Sequence, residues 1–342
     1  MRISAVKLMA WLIVPVLGAQ LGPDEIGTAP APAVIPYIDT HTHFDENHPE
    51  AAVQAVLRAA ERENAAKIYL QIPPFSFTDA NRFDAEVILP AAKKFPDKIR
   101  VLGGGGSLNA MILEAVSTGK AGPDVRKKFR ERAEELIRAG VSGFGEMAAE
   151  HFVGSTGYEY APPDHPLFLL LADIAAEHGL PIDIHMETVP HAMALPPDLK
   201  SPPNTAQLHE NIAAFGRLLS HNPRAKIIWA HLGTDSTGFR TPELCRQMLE
   251  AHPNLYMEIK YDPKLPGKNP VWVNGVVKPE WLELFRKFPD RIVLGSDQHY
   301  SGHEEPGRWQ SDVLILNQLP PDLRKKIGSE NARHIFSPDQ KH

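Results

Sequence analysis

The chain has 342 residues, 43% of them hydrophobic and 23% charged, proportions that exclude a disordered chain and a multispanning membrane protein. Its formal charge of −6 at pH 7 argues against a nucleic-acid partner, because Arg126-Lys127-Lys128 and Arg324-Lys325-Lys326 fall at helical positions where charge is simply solvated. The single cysteine, Cys245, excludes an intrachain disulfide and a cysteine-based zinc site, and its helical context reads as a small buried hydrophobe.

At the N-terminus, Arg2 and Lys7 precede the apolar stretch 8–17, and the small residues Gly18 and Ala19 follow. This is the layout of a secretory leader, too short to span a membrane. The expectation is a signal peptide over 1–19, a linker rich in Pro, Gly and Ala over 20–33, and a folded domain over 34–342. The domain is expected to be exported, periplasmic or secreted, with no stable membrane association once the leader is removed.

From residue 34 onward, strand-like apolar runs alternate with amphipathic stretches, the pattern of repeated βα units around a parallel sheet. Strand 34–39 precedes a helix over 49–64, strand 66–72 a helix over 80–94, strand 99–102 a helix over 124–139, and strand 141–146 a helix over 164–178. Strand 181–186 leads through a Pro-rich insertion at 190–203 to a helix over 204–220. Strands 226–231, 254–260 and 291–297 precede helices over 242–251, 279–287 and 310–317, and a closing helix pair is expected over 322–336. Eight such units fit a single-domain (β/α)8 TIM barrel. The long loops, at 44–48, 103–120, 147–163, 187–203, 261–275 and 298–308, all follow strands, which puts them at the C-terminal face where such barrels build active sites. An open doubly wound sheet is the structural alternative, but it gives no reason for polar residues at so many strand ends.

Those residues are of one chemical kind. The first strand closes in Asp39-Thr40-His41-Thr42-His43, and strand alternation places Asp39, His41 and His43 on one face. Strand four ends in Glu146, strand five in His185, strand six in His231 and strand eight in Asp297. Each alone has an ordinary account as a core histidine, a cap or an ion-pair partner. Six nitrogen and oxygen donors at one level of a closed barrel converge, and together they point to a divalent metal.

On these residues the chain resembles the amidohydrolase superfamily of metal-dependent TIM-barrel hydrolases, and most of all its amidohydrolase-related branch, also called amidohydrolase 2. The resemblance rests on the Asp39 to His43 motif, His185, His231, Gly295-Ser296-Asp297 and the closing Asn331-Ala332-Arg333-His334-Ile335-Phe336. It implies that His41, His43, His185 and Asp297 hold a divalent metal, expected as Zn2+. It further implies that His231 polarises or deprotonates the attacking water or binds the substrate's oxygen, and that Asp297 also shuttles a proton to the leaving group. Glu146 is left with two readings. In TatD-type nucleases and phosphotriesterase-like lactonases a strand-four Glu or carboxylated Lys bridges two metals, and Gly143-Phe144-Gly145-Glu146 resembles the former. Outside the ligand set, Glu146 leaves a centre with one metal, and one metal with Glu146 close by is the expectation.

The activity implied is hydrolysis of an ester, lactone or amide carbonyl of a small molecule by a metal-activated water. The alternatives are a metal-dependent decarboxylase of an aromatic or unsaturated carboxylic acid, since the branch also contains such lyases, and a non-catalytic protein that binds metal and small molecules. A homo-oligomer is left open. Gly103 to Gly106 do not complete a dinucleotide fingerprint, because Leu108 and Asn109 stand where the last glycine would fall. Arg308, Trp309 and Tyr261 are further candidates for contacts with an anion or a ring.

Overall fold

Pro49, Pro123, Pro166, Pro242 and Pro279 each stand at the first position of a helix. Proline there has no amide to waste and a backbone angle already suited to the first turn, so each marks where a connection from the sheet turns into a helix. The structure, a computed structural model, describes residues 33–152, 159–200, 204–262, 267–301 and 307–337. The leader and all of the linker but Ala33 lie outside the described residues.

Eight strands form the barrel: β1 Tyr37–Phe44, β2 Ala65–Gln71, β3 Ile99–Gly104, β4 Phe144–His151, β5 Pro181–Met186, β6 Lys226–Leu232, β7 Leu255–Ile259 and β8 Ile292–Leu294. Each pairs in parallel with the next, and β8 closes on β1 at Asp39 opposite Leu294. This is the (β/α)8 TIM barrel. Around it run α1 Pro49–Glu63, α2 Leu89–Ala92, α3 Leu108–Thr118, α4 Pro123–Ala139, α5 Pro166–His178, α6 Ile212–His221, α7 Pro242–Ala251, α8 Pro279–Lys287 and α9 Trp309–Gln318. Among the described residues no helix is long and apolar enough to cross a membrane.

The closing motif plugs the end of the barrel away from the long loops. Ile335 and Phe336 cluster with Ile38, Tyr69, Leu102, Ile228, Tyr256 and Val293, one side chain from each of six strands. Phe336 lies 4.1 Å from the Tyr69 ring, and Asn331 Nδ2 donates to the carbonyls of Pro289 and Ile292 at 2.8 and 2.7 Å. Burying those carbonyls without a donor would cost about 1–3 kcal/mol each.

Several expected boundaries move for physical reasons. Val34 is 59% exposed and β1 starts only at Tyr37. The helix expected over 80–94 shrinks to a turn at Ala85–Val87 and the four residues of α2, because Asp84 is committed to the amides of Ala85, Gly104 and Ser107 and so ties this segment to the end of β3. The loop expected over 103–120 contains α3, whose residues are apolar on most sides and so give no amphipathic period to detect. The helix expected over 204–220 starts at Ile212, since Gln207–Leu208 pairs with Met193–Ala194. The closing helix pair is one run in which Pro321–Lys325 and Asn331–Ile335 are joined by a π turn at Lys326–Glu330.

Candidate metal centre

The barrel brings all six expected donors to its C-terminal end. Glu146 of β4 is the hub. Its Oε1 lies 2.8 Å from His185 Nδ1 and 3.2 Å from His231 Nε2, and its Oε2 lies 3.4 Å from His43 Nε2 and 3.6 Å from His41 Nε2. Asp297, just past β8, presents Oδ1 to His43 Nε2 at 3.1 Å. Three-donor groups whose atoms all lie within 4.8 Å of one another are formed by His41, His43 and Asp297, and by His41, Glu146 and His231. His185 joins neither group and reaches them through Glu146, with its Nε2 3.8 Å from Glu187 Oε1.

Local backbone aims these groups. His231 and Asp297 both sit in the left-handed region, at φ 67° and 53°, a conformation that costs a non-glycine residue about 1–3 kcal/mol. His231 is the last residue but one of β6 and Asp297 lies three residues past β8, and each side chain enters the cluster. The Nδ1 of His43 donates to the Gln71 carbonyl at 3.2 Å, which turns Nε2 toward Glu146 and Asp297. Asp39 is not available to the centre. The register of β1 on β2 shifts between Asp39 and Thr42, and the Asp39 carboxylate accepts from Ser296 N at 3.0 Å and Ser296 Oγ at 2.6 Å, which seals the seam between β1 and β8.

The electrostatics are those of carboxylates and imidazoles held together out of water. Burial works against the charged form of His43, yet bonds to Asp297 and Glu146 lift it to about 9. His185 reaches about 9 in the same way, through Glu146 and Glu187. Burial would raise Glu146, but the charge of His41 and bonds from His185 and His231 hold it well below the usual carboxylate range. Asp297, also opposed by burial, is held low first by Lys260. His231 goes the other way: burial and the nearby Lys260 keep its ring neutral at pH 7.

The residues fit a divalent ion on their own chemistry. His41 is fully buried, and its Nε2, the nitrogen turned toward Glu146, has no hydrogen-bond partner among the described residues. Buried polar atoms without partners are uncommon and costly. Imidazole nitrogens and carboxylate oxygens around one point are the donors such an ion takes.

Four ionisable neighbours lie outside the expected ligand set. Lys260 Nζ and Arg308 NH1 both donate to Asp297 Oδ2, and Arg308 Nε lies 3.1 Å from Asp262. Asp183 and Glu258, both fully buried, face His41 Nδ1 at 3.4 and 3.2 Å. The signals were there: Lys260 closes a predicted strand, Glu258 interrupts an apolar run two residues earlier, and Asp183 stands two before His185. A cavity of about 730 Å³ lined by Phe77, Arg82, Phe83, Met111 and Arg132 includes none of the centre's residues.

The model of the amidohydrolase family matches residues 38–337. The chain belongs to this family. It is an enzyme of a metal-dependent family, and the donor groups above support a divalent ion as its cofactor. No curated protein matches the sequence. Among solved structures, the chain is similar to a probable 2-pyrone-4,6-dicarboxylic acid hydrolase from Acinetobacter baumannii with citric acid bound, at 12% identity and TM-score 0.50, over 88% of this chain and 99% of that one. It is also similar to 5-carboxyvanillate decarboxylase from Novosphingobium aromaticivorans complexed with manganese and 4-hydroxy-3-methoxy-5-nitrobenzoic acid, at 12% identity and TM-score 0.52, over 90% and 99%. At this identity both are likenesses of fold.

Proposed function

We propose that this amidohydrolase family member hydrolyses an ester, lactone or amide bond in a small molecule that carries a carboxylate, with a metal-activated water as the attacking group. The observation that carries the reading is the grouping of His41, His43 and Asp297 beside Glu146 and the neutral ring of His231. His41, His43 and Asp297 would hold the ion, with His185 completing the set and Glu146 close by. We read the ion as a single zinc because the donors are mostly imidazole. When bound, such an ion brings the pKa of water down toward about 7 and polarises a carbonyl oxygen.

The chain's own groups then divide the remaining work. His231 Nε2, within 3.2 Å of Glu146 Oε1, binds the substrate's oxygen or takes a proton from the water. Asp297 has one oxygen toward His43 and the other held by Lys260 and Arg308, so its carboxylate is oriented for passing a proton to the leaving group. Lys260 and Arg308 form the cationic side of the centre and suit a substrate carboxylate. The two similar structures contain carboxylic acids, which is in keeping with this substrate class.

That cationic side also favours a second reading, decarboxylation of an aromatic or unsaturated acid by the same residues. Incubation with a panel of lactones, esters, amides and aryl carboxylic acids in water labelled with oxygen-18 separates the two. Label in the product is expected. Carbon dioxide release with no oxygen-18 in the organic product would replace hydrolysis by decarboxylation, and bound metal with no turnover of any compound would favour a binding protein. On the leader pattern we also infer export, which N-terminal sequencing of the protein recovered outside the cytoplasm checks.

A further inference from the structure

The side chains beneath the centre are a poor bargain for stability. Asp183 and Glu258 are fully buried inside the barrel, and among the described residues both oxygens of Asp183 and Oε1 of Glu258 have no hydrogen-bond partner. A buried polar group left without a partner is destabilising, more so when it is charged. The surrounding backbone nonetheless makes room for them. A Cβ on Gly295 would lie 2.1 Å from Glu258 Cδ, and one on Gly145 would lie 2.3 Å from Gln71 Oε1 and 3.0 Å from Asp183 Cβ. The space under the centre is kept clear at two glycines.

What these carboxylates face is specific. Glu258 spans two rings, with Oε2 3.2 Å from His41 Nδ1 and Oε1 3.6 Å from His231 Nδ1. Asp183 Oδ1 adds a second contact to His41 Nδ1 at 3.4 Å. On the opposite edge, the Nε2 atoms of the same rings face Glu146 at 3.6 and 3.2 Å. A neutral imidazole carries one proton and one lone pair, and an acceptor at one nitrogen decides which nitrogen keeps the lone pair.

We infer that Glu258 and Asp183 are positioning residues: a carboxylate floor that holds the Nδ1 edges of His41 and His231, so that the Nε2 lone pair of His41 faces the ion and that of His231 faces the water or the substrate's oxygen. The inference rests on the proposed metal centre at His41. Gly295, in the Gly295-Ser296-Asp297 motif, then has a steric task, to leave the volume Glu258 occupies.

The test uses the full chain with zinc as the probe. Zinc affinity is measured by competition with a chromophoric chelator, and the melting temperature of the chelator-treated protein by circular dichroism. Glu258→Gln is expected to weaken zinc binding about 10–100-fold, as loss of a carboxylate behind a metal-bound histidine does. The metal-free variant is expected to melt at or above the wild-type temperature, because the amide carries no charge into the barrel. A merely structural role would lower the melting temperature and leave affinity alone. Asp183→Asn should follow in the same direction and carries the test if Glu258→Gln does not fold; Gly295→Ala, which crowds Glu258 without changing charge, should weaken binding too. Unchanged affinity in a folded variant overturns the inference alone. Loss of one whole zinc equivalent with the remaining site unaffected also overturns it, by making His41, Asp183 and Glu258 a metal site themselves. A wild-type protein that holds no zinc overturns the metal reading and the floor with it.

Discussion

Replacing Asp297 by asparagine separates chemistry from folding. Oδ1 of Asp297 faces His43 Nε2 at 3.1 Å, while Oδ2 accepts from Lys260 and Arg308. An amide cannot serve both sides: with its oxygen toward the cations, its NH2 points into the centre, and turned over, it sets NH2 against two cations. On the proposed role of Asp297, the variant loses a negative ligand and a proton carrier together. Loss of a positioned proton-transfer group alone lowers rates about 10²–10⁴-fold, so kcat/KM should fall at least about 10³-fold, or about 4 kcal/mol of barrier. The fold should survive. Lys260, 12% exposed at its side chain, contributes a charge-assisted bond worth about 1.5–3 kcal/mol, and Arg308, at 38%, is closer to a surface pair worth about 1 kcal/mol or less. The amide keeps part of this, so the net loss is about 1–3 kcal/mol against a typical total of about 5–15 kcal/mol. Steady-state kinetics on the substrate found in the panel, with urea unfolding of the same preparations, gives both numbers. A folded variant with kcat/KM within about tenfold of wild type would refute the role given to Asp297.

Metal analysis of the purified protein should find about one equivalent per chain, retained at lower affinity in Glu146→Ala; two equivalents falling to one would replace the single ion by a pair bridged at Glu146. Asn331→Ala strips two buried carbonyls of their donor, and should cost about 2–4 kcal/mol in urea unfolding. Asn331→Asp, which sets a carboxylate against the same two carbonyls, should cost more; a neutral result for either would mean the plug does not close the barrel. Burial pushes the Glu63 carboxyl up to about 8 from 4.5, only partly offset by Arg62 and the Tyr37 hydroxyl. The native state therefore binds a proton there that the unfolded chain releases. Its contribution to stability is full below pH 4.5 and is lost as pH rises through about 8. Glu63→Gln should flatten that decline in melting temperature, and an identical slope in the variant would assign the decline elsewhere.

Much of this molecule is legible in one dimension because a barrel strand is a short apolar run and its C-terminal end is where the polar residues begin. In the sequence His41, His43, Glu146, His185, His231 and Asp297 all close such runs, although β4 continues past Glu146 to His151. The apolar run preceding each donor and the helix following it set the order of the barrel, since parallel neighbours joined by helices leave few other topologies. The family follows from the same residues.

What the chain could not show by itself was direction. Strand alternation grouped Asp39 with His41 and His43, whereas the register shift in β1 gives Asp39 to Ser296. Nor could it separate a charged residue lining the inside of a closed sheet from one on its rim. Asp183, Glu258 and Lys260 are ordinary acids and a lysine until closure of β8 on β1 places them under and beside the donors. Glu146 became the hub of four imidazoles for the same reason. A sequence period fixes which side chains share a strand face, but only the closed curve of the barrel decides that the inner faces of distant strands meet within the 3–4 Å over which charges and hydrogen bonds act.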